Sequence, residues 1–166
     1  MTLSVRILGI DPGLRRMGWG VISVQGSQIS SVAHGVVAAP TDAPLSERLI
    51  HIFNAVGVLV TEYQPDEAAI EEAFMAANAS SALKLGHARA AALLAPADAG
   101  LPVAEYAARL VKKSVVGTGA ADKAQVAAMV GVLLPGTRAK ADAADALAIA
   151  ICHAHHRRAR NIGTAA

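Results

Sequence analysis

Four acidic residues stand where this chain otherwise places apolar side chains. Asp11 ends the apolar run Ile7-Leu8-Gly9-Ile10 and is followed at once by Pro12-Gly13. Glu71 ends a second short run, Ala68-Ala69-Ile70, with Glu72 beside it. Asp142 and Asp145 open Ala141–Cys152, in which every other residue is apolar. Ligands of open α/β sheets gather at the carboxyl ends of strands, and helical residues three apart share a face. Each acid also has an ordinary reading. Asp11 can be turn chemistry, Glu71 a solvent-facing strand end, and Asp142 with Asp145 a helix cap favoured by the helix dipole. Taken singly, these readings compete evenly with a site; taken together they require three unrelated coincidences. Clustered carboxylates repel one another unless a cation joins them. Oxygen ligands select magnesium or manganese over zinc, and no Cys or His ligand spacing competes. His153, His155 and His156 read as a solvated helix end. Two such ions about 4 Å apart suit hydrolysis of a phosphodiester by in-line attack of water.

Basic residues near such a site would hold a polyanion. The candidates are Arg15 and Arg16 in the loop after Asp11, then Lys112, Lys113, Lys123, Arg138 and Lys140. Arg15 and Arg16 could equally be a solvated turn. Phe74 lies in a polar-flanked loop just after Glu71. It could stack on bases or wedge between them, or make a satellite core contact; its spacing leaves both open.

The elements that must position these residues follow from periodicity. Strands are expected over Arg6–Asp11, Gly18–Val24 and Ile29–Val37, joined by short loops and therefore antiparallel. A helix begins at Leu45 and ends before Gln64-Pro65. Glu67–Ile70 is a fourth strand, 80–99 a small-residue helix with Pro96 as a kink or early stop, and Val103–Tyr106 a fifth strand. Arg109–Gly119 reads as a loop, 120–134 as a helix, and a last helix starts near Asp142. This is an α/β fold: a five-stranded mixed sheet, its first three strands antiparallel hairpins, flanked by helices on both faces. No boundary divides the chain, so 1–166 is expected to be a single domain with a flexible tail from about 158.

Bulk properties agree. A chain of 166 residues, 54% hydrophobic and 17% charged, is a compact domain and not a disordered one. Net charge +2 and a pI near 8.9 are compatible with nucleic acid without requiring it. The single cysteine, Cys152, can form no internal disulfide, and no apolar stretch approaches the ~20 residues of a membrane helix. With no signal peptide evident, a cytoplasmic, soluble protein with no membrane contact is expected.

The segments Ile10-Asp11-Pro12-Gly13, Ala69-Ile70-Glu71-Glu72-Ala73-Phe74, Asn78 with Ser81-Ala82-Leu83-Lys84-Leu85-Gly86, Glu105-Tyr106-Ala107-Ala108-Arg109, Val115-Val116-Gly117 and Ala141–Ala148 together resemble the bacterial RuvC family of Holliday-junction resolvases. The resemblance runs from about Ile7 to Cys152. The turn after Asp11 alone also occurs in unrelated members of the ribonuclease-H-like superfamily; the ordered set is specific. It implies a ribonuclease-H-like fold and a homodimer that binds four-way junction DNA. It also implies paired symmetric nicks, made with Mg2+ or Mn2+, that leave 5′-phosphate and 3′-hydroxyl ends in recombination and repair. RuvA and RuvB are the implied partners, and a short thymine-containing sequence the implied preference. By position Asp11, Glu71, Asp142 and Asp145 become catalytic carboxylates holding two metal ions, and Lys123 joins the catalytic set. Phe74 would engage bases, and Lys112 and Lys123 would lie near the scissile phosphate. Lys113, Arg15, Arg16 and Asn78 complete the expected DNA-binding set. The chain departs from the family pattern at Ala77, His87 and Ala90, with Pro96 in the helix that resembles the dimer-forming element. An actin-like ATPase would need a second half with its own glycine turn and aspartate, which is missing. A nuclease acting on RNA or linear DNA is a nearer alternative, and a junction binder without catalysis would not need all four acids.

Overall fold

A computed structural model describes residues 3–72 and 77–163, the side chains of 158–163 excepted. The strands are β1 (Val5–Asp11), β2 (Arg16–Gln25), β3 (Gln28–Ala38), β4 (Glu67–Glu72) and β5 (Val103–Ala107). The helices are α1 (Leu45–Tyr63), α2 (Ala79–Asp98), α3 (Ala108–Val116), α4 (Lys123–Leu133) and α5 (Ala141–Gly163). The sheet order is β3-β2-β1-β4-β5. β1, β2 and β3 form an antiparallel meander, while β4 and β5 extend the sheet parallel to β1. The expected mixed five-stranded sheet is present.

Alternation along the strands assigns each residue to one of two cores. Ile7, Ile22, Val24 and Ala69 pack with α3, α4 and α5. Leu8, Ile10, Met17, Val21, Ala68 and Ile70 pack with α1 and α2. Both faces are thus covered, which is why β1 and β4 are nearly continuous apolar runs. The same alternation turns Asp11, Glu67 and Glu71 toward the face of α5.

α5 lies close against that face because glycines meet it. A Cβ on Gly9 would stand 2.2 Å from the Ala146 carbonyl oxygen, and one on Gly18 would stand 2.0 Å from that of Asp142. The far part of α5 is tied to β4 and β5 by a polar network. Glu67 Oε2 accepts from His153 Nε2 at 2.6 Å and Glu67 Oε1 from Arg157 Nε at 2.7 Å. Tyr106 Oη and His153 Nδ1 share a further bond of 2.7 Å. Burial opposes ionisation of Glu67, but its bonds to Arg157 and His153 outweigh burial and hold its carboxyl below the usual range.

Three sequence expectations change. The segment expected as a loop over Arg109–Gly119 is largely helix α3: Val111 and Val115, four apart, are buried while Lys113 is exposed, and Gly117 ends the helix with φ 97°. The lysines and glycines concealed that two-residue apolar seam. His153 is not solvated but 4% exposed, because α5 remains packed under the sheet to that point. Pro96 does not stop α2 early; it sits buried in the last turn, and the helix continues to Asp98.

Three outcomes test this packing. Gly9→Ala should lower unfolding free energy by about 2–3 kcal/mol or more, measured by urea denaturation. Gly131→Ala in α4, where an added Cβ meets nothing within 4 Å, should be neutral or gain up to about 1 kcal/mol. Glu67→Gln should cost about 1–2 kcal/mol at neutral pH. Because the folded pKa of Glu67 lies below its unfolded value, that deficit should shrink as pH falls through the folded pKa.

Candidate active site

β1 and β4 run parallel with Ile10 beside Ile70, so Asp11 and Glu71 arrive together at neighbouring strand ends. Glu71 is further fixed through its own backbone: Arg89 of α2 donates from Nε to the Glu71 carbonyl at 3.0 Å and pairs through Nη2 with Glu105. α5 supplies Asp142 in its first turn and Asp145 one turn further on. Asp142 therefore lies inside the helix and does not cap it. Ala141, just before it, takes a left-handed φ of 46°, a conformation that costs a non-glycine residue about 1–2 kcal/mol. Carboxylate oxygens of Asp11, Asp142 and Asp145 all come within 4.8 Å of one another.

The electrostatics follow from this crowding. Burial, then the charges of Glu71, Asp145 and Asp142, push the Asp11 carboxyl up to about 8, with Lys123 opposing. Burial and Asp145 also raise Glu71, against Lys112, Lys123 and a hydrogen bond to Asp11. Two cations engage the outer acids. Arg16 Nε stands 3.1 Å from Asp142 Oδ2, and Lys123 Nζ stands 3.1 Å from Asp145 Oδ2. Lys123 is the first residue of α4, whose start is fixed by a capping box between Asp122 and Gln125. Its bond to Asp145 raises its pKa, so it stays an ammonium. The donor set is all oxygen, half-buried and strained by like charge, which is the chemistry a hard divalent cation relieves. Asp11, Asp142 and Asp145 could hold one, with Glu71 beside them.

The other sequence candidates divide. Lys112 lines a cleft of about 170 Å³ with Glu71, Lys123 and Asp145. Arg16 begins β2 instead of lying in the loop, and Arg15 is exposed beside it. Lys113 is exposed in the last turn of α3 and lines neither cleft next to the acids. Asn78 caps α2, its Oδ1 accepting from Ser81 N at 2.9 Å. Phe74 lies outside the described residues. Sequence reasoning missed Arg89; its one cue was a cation in a helix of small residues.

Comparison with known proteins places the chain in a family. The chain matches the family model described as "Crossover junction endodeoxyribonuclease RuvC" over residues 7–153. A relative of that name from Maricaulis maris (strain MCS10) is 83% identical over 166 residues, covering 100% of both chains. Another from Caulobacter vibrioides is 58% identical over 93% of this chain and 92% of the relative. The structure titled "T. thermophilus RuvC in complex with Holliday junction substrate" superposes with a TM-score of 0.87 at 34% identity, covering 94% of this chain and 96% of that one. Sequence and fold agree: the chain belongs to the RuvC family of crossover junction endodeoxyribonucleases.

Proposed function

We propose that this chain resolves four-way DNA junctions by paired, symmetric nicks, hydrolysing phosphodiester bonds with two Mg2+ or Mn2+ ions to leave 5′-phosphate and 3′-hydroxyl ends. The observation that carries this reading is the convergence of Asp11, Asp142 and Asp145 oxygens within 4.8 Å at the end of the sheet. Asp11, Glu71, Asp142 and Asp145 would hold the ions. When bound, these ions supply charge neutralisation at the phosphate and a more nucleophilic water.

The chain's own residues have separate tasks in this scheme. Asp11, whose carboxyl is pushed up to about 8 by burial and by Glu71, Asp145 and Asp142, would hold the ions in its ionised form, and their charge would offset its repulsion with those acids. Lys123, whose bond to Asp145 favours its ammonium form, would place positive charge beside the phosphate. Lys112, in the same cleft, helps orient the phosphate, while Arg15, Arg16, Lys113 and Asn78 contribute to the DNA path and Phe74 meets bases at the junction. A homodimer would cut the two strands of a symmetric junction, acting with RuvA and RuvB in the cytoplasm during recombination and repair. Among the described residues no helix is long and apolar enough to cross a membrane.

The decisive assay offers a synthetic four-way junction, a linear duplex and an RNA–DNA hybrid, each with and without Mn2+. Metal-dependent cutting of the junction in preference to the other two is expected; equal cutting of all three would overturn junction specificity. Asp11→Asn should abolish cleavage while junction binding survives. Without metal, Asp11 has a folded pKa raised from 3.8 to about 8, so the folded chain holds a proton that the unfolded chain releases. Stability is therefore lost as pH rises through that window. The melting temperature of metal-free Asp11→Asn should exceed that of the unmodified chain by more at about pH 9 than at about pH 5. Added Mn2+ should stabilise the unmodified chain more than the variant.

A further inference from the structure

A second cleft, of about 540 Å³, opens beside the acids and shares Asp142 with them. Its walls carry four cations, Arg15, Arg16, Arg48 and Lys84, together with Ser81. Asp142 is its single carboxylate, and Arg16 already engages it. The other three cations have no carboxylate within 4.0 Å among the described residues.

Arg48 is the informative member. It is half-buried on α1, and its one side-chain hydrogen bond among the described residues runs from Nη2 to the neutral Leu14 carbonyl at 3.1 Å. Its Nε is buried without a partner. Withdrawing a guanidinium from water with only a neutral acceptor is unfavourable, and an anion in the cleft offsets that. Ser81 and Lys84 lie three apart on one face of α2, in the opening turns of a helix of 20 residues capped by Asn78. Lys84 is exposed, so α2 adds a mobile ammonium and the positive end of its dipole to the fixed guanidinium of α1.

We infer that Arg48, Lys84 and Arg15, with the Ser81 hydroxyl, form a subsite for a backbone phosphate of the DNA strand being cut. This rests on the nuclease reading above. A nucleic-acid strand repeats its phosphate at every nucleotide. A strand that presents one phosphate to Asp11, Asp142 and Asp145 therefore presents a neighbouring one to the cleft that Asp142 borders. The subsite holds charge and not base identity, so it sets register along the strand without reading sequence. A pinned Arg48 would fix the position, while Lys84 and Arg15 close over the phosphate from solvent.

The test uses four-way junctions carrying a single neutral methylphosphonate, stepped through the linkages on both sides of the cut. Binding is measured without metal to the unmodified chain, Lys84→Ala and Arg48→Gln. The unmodified chain should lose about five- to tenfold in affinity at one or two linkages flanking the cut. Each variant should bind the all-phosphate junction more weakly by a similar factor, with a log K against log salt slope shallower by about 1. Each should lose no further affinity at those same linkages. Variants that keep the full affinity and salt slope, or that still lose affinity at those linkages, would overturn the subsite. Should Arg48→Gln fail to fold, exposed Lys84 decides alone. The two readings fail separately: a chain that cuts no junction overturns the nuclease reading, whereas one that cuts junctions but lacks this coupling overturns only the subsite.

Discussion

The close docking of α5 on β1 and β2 is the constraint on which the acidic site depends. Asp11, Glu71, Asp142 and Asp145 gain nothing from one another, since like charges in a half-buried place repel. What holds them together is the apolar body of α5, where Leu147, Ile149 and Ile151 are at most 1% exposed. Burying each such side chain contributes about 1.5–3 kcal/mol, enough in sum to carry the repulsion concentrated at one end. The Glu67–His153–Arg157 network anchors the same helix toward its other end. A helix fixed at two places along its length has little freedom to slide, so the carboxylates near its start inherit their position from contacts well away from them.

The strands contribute by parity. Residues of β1 and β4 at odd positions face α5, and the parallel register sets Ile10 beside Ile70. One alternation therefore places Asp11 and Glu71 toward the site and Glu67 toward the anchor. A slip of one residue would turn all three to the opposite face. Site and anchor are thus two ends of a single pattern, and neither can be moved without the other.

Much of this was legible in the sequence because the signals were strong and local. The apolar run before Asp11, the short turns between β1, β2 and β3 and the helical spacing of apolar residues in α1 can each be read without distant residues. The four acids stood out because each ends or interrupts an apolar run. What escaped detection was short or non-local. α3 buries only Val111 and Val115, too few for a period to emerge between lysines and glycines. His153 looked solvated because Arg157 and its neighbours are charged; its partners Glu67 and Tyr106 lie 86 and 47 residues away in sequence. Arg89 and Arg48 act on backbone carbonyls of Glu71 and Leu14, and such pairings leave no mark on side-chain spacing.

The glycine seam has an effect beyond packing. At Gly9 and Gly18 the helix meets the sheet through backbone atoms, which every amino acid possesses alike. The distance between the halves of the site is consequently not averaged over rotamers, and side-chain disorder elsewhere does not propagate into it. A misplacement of 1 Å can cost about a hundredfold in rate, so this joint insulates the spacing of the carboxylates from side-chain changes elsewhere on the helices. Exposed positions that touch neither the acids nor the cationic cleft can drift, while the seam keeps the carboxylates in gauge.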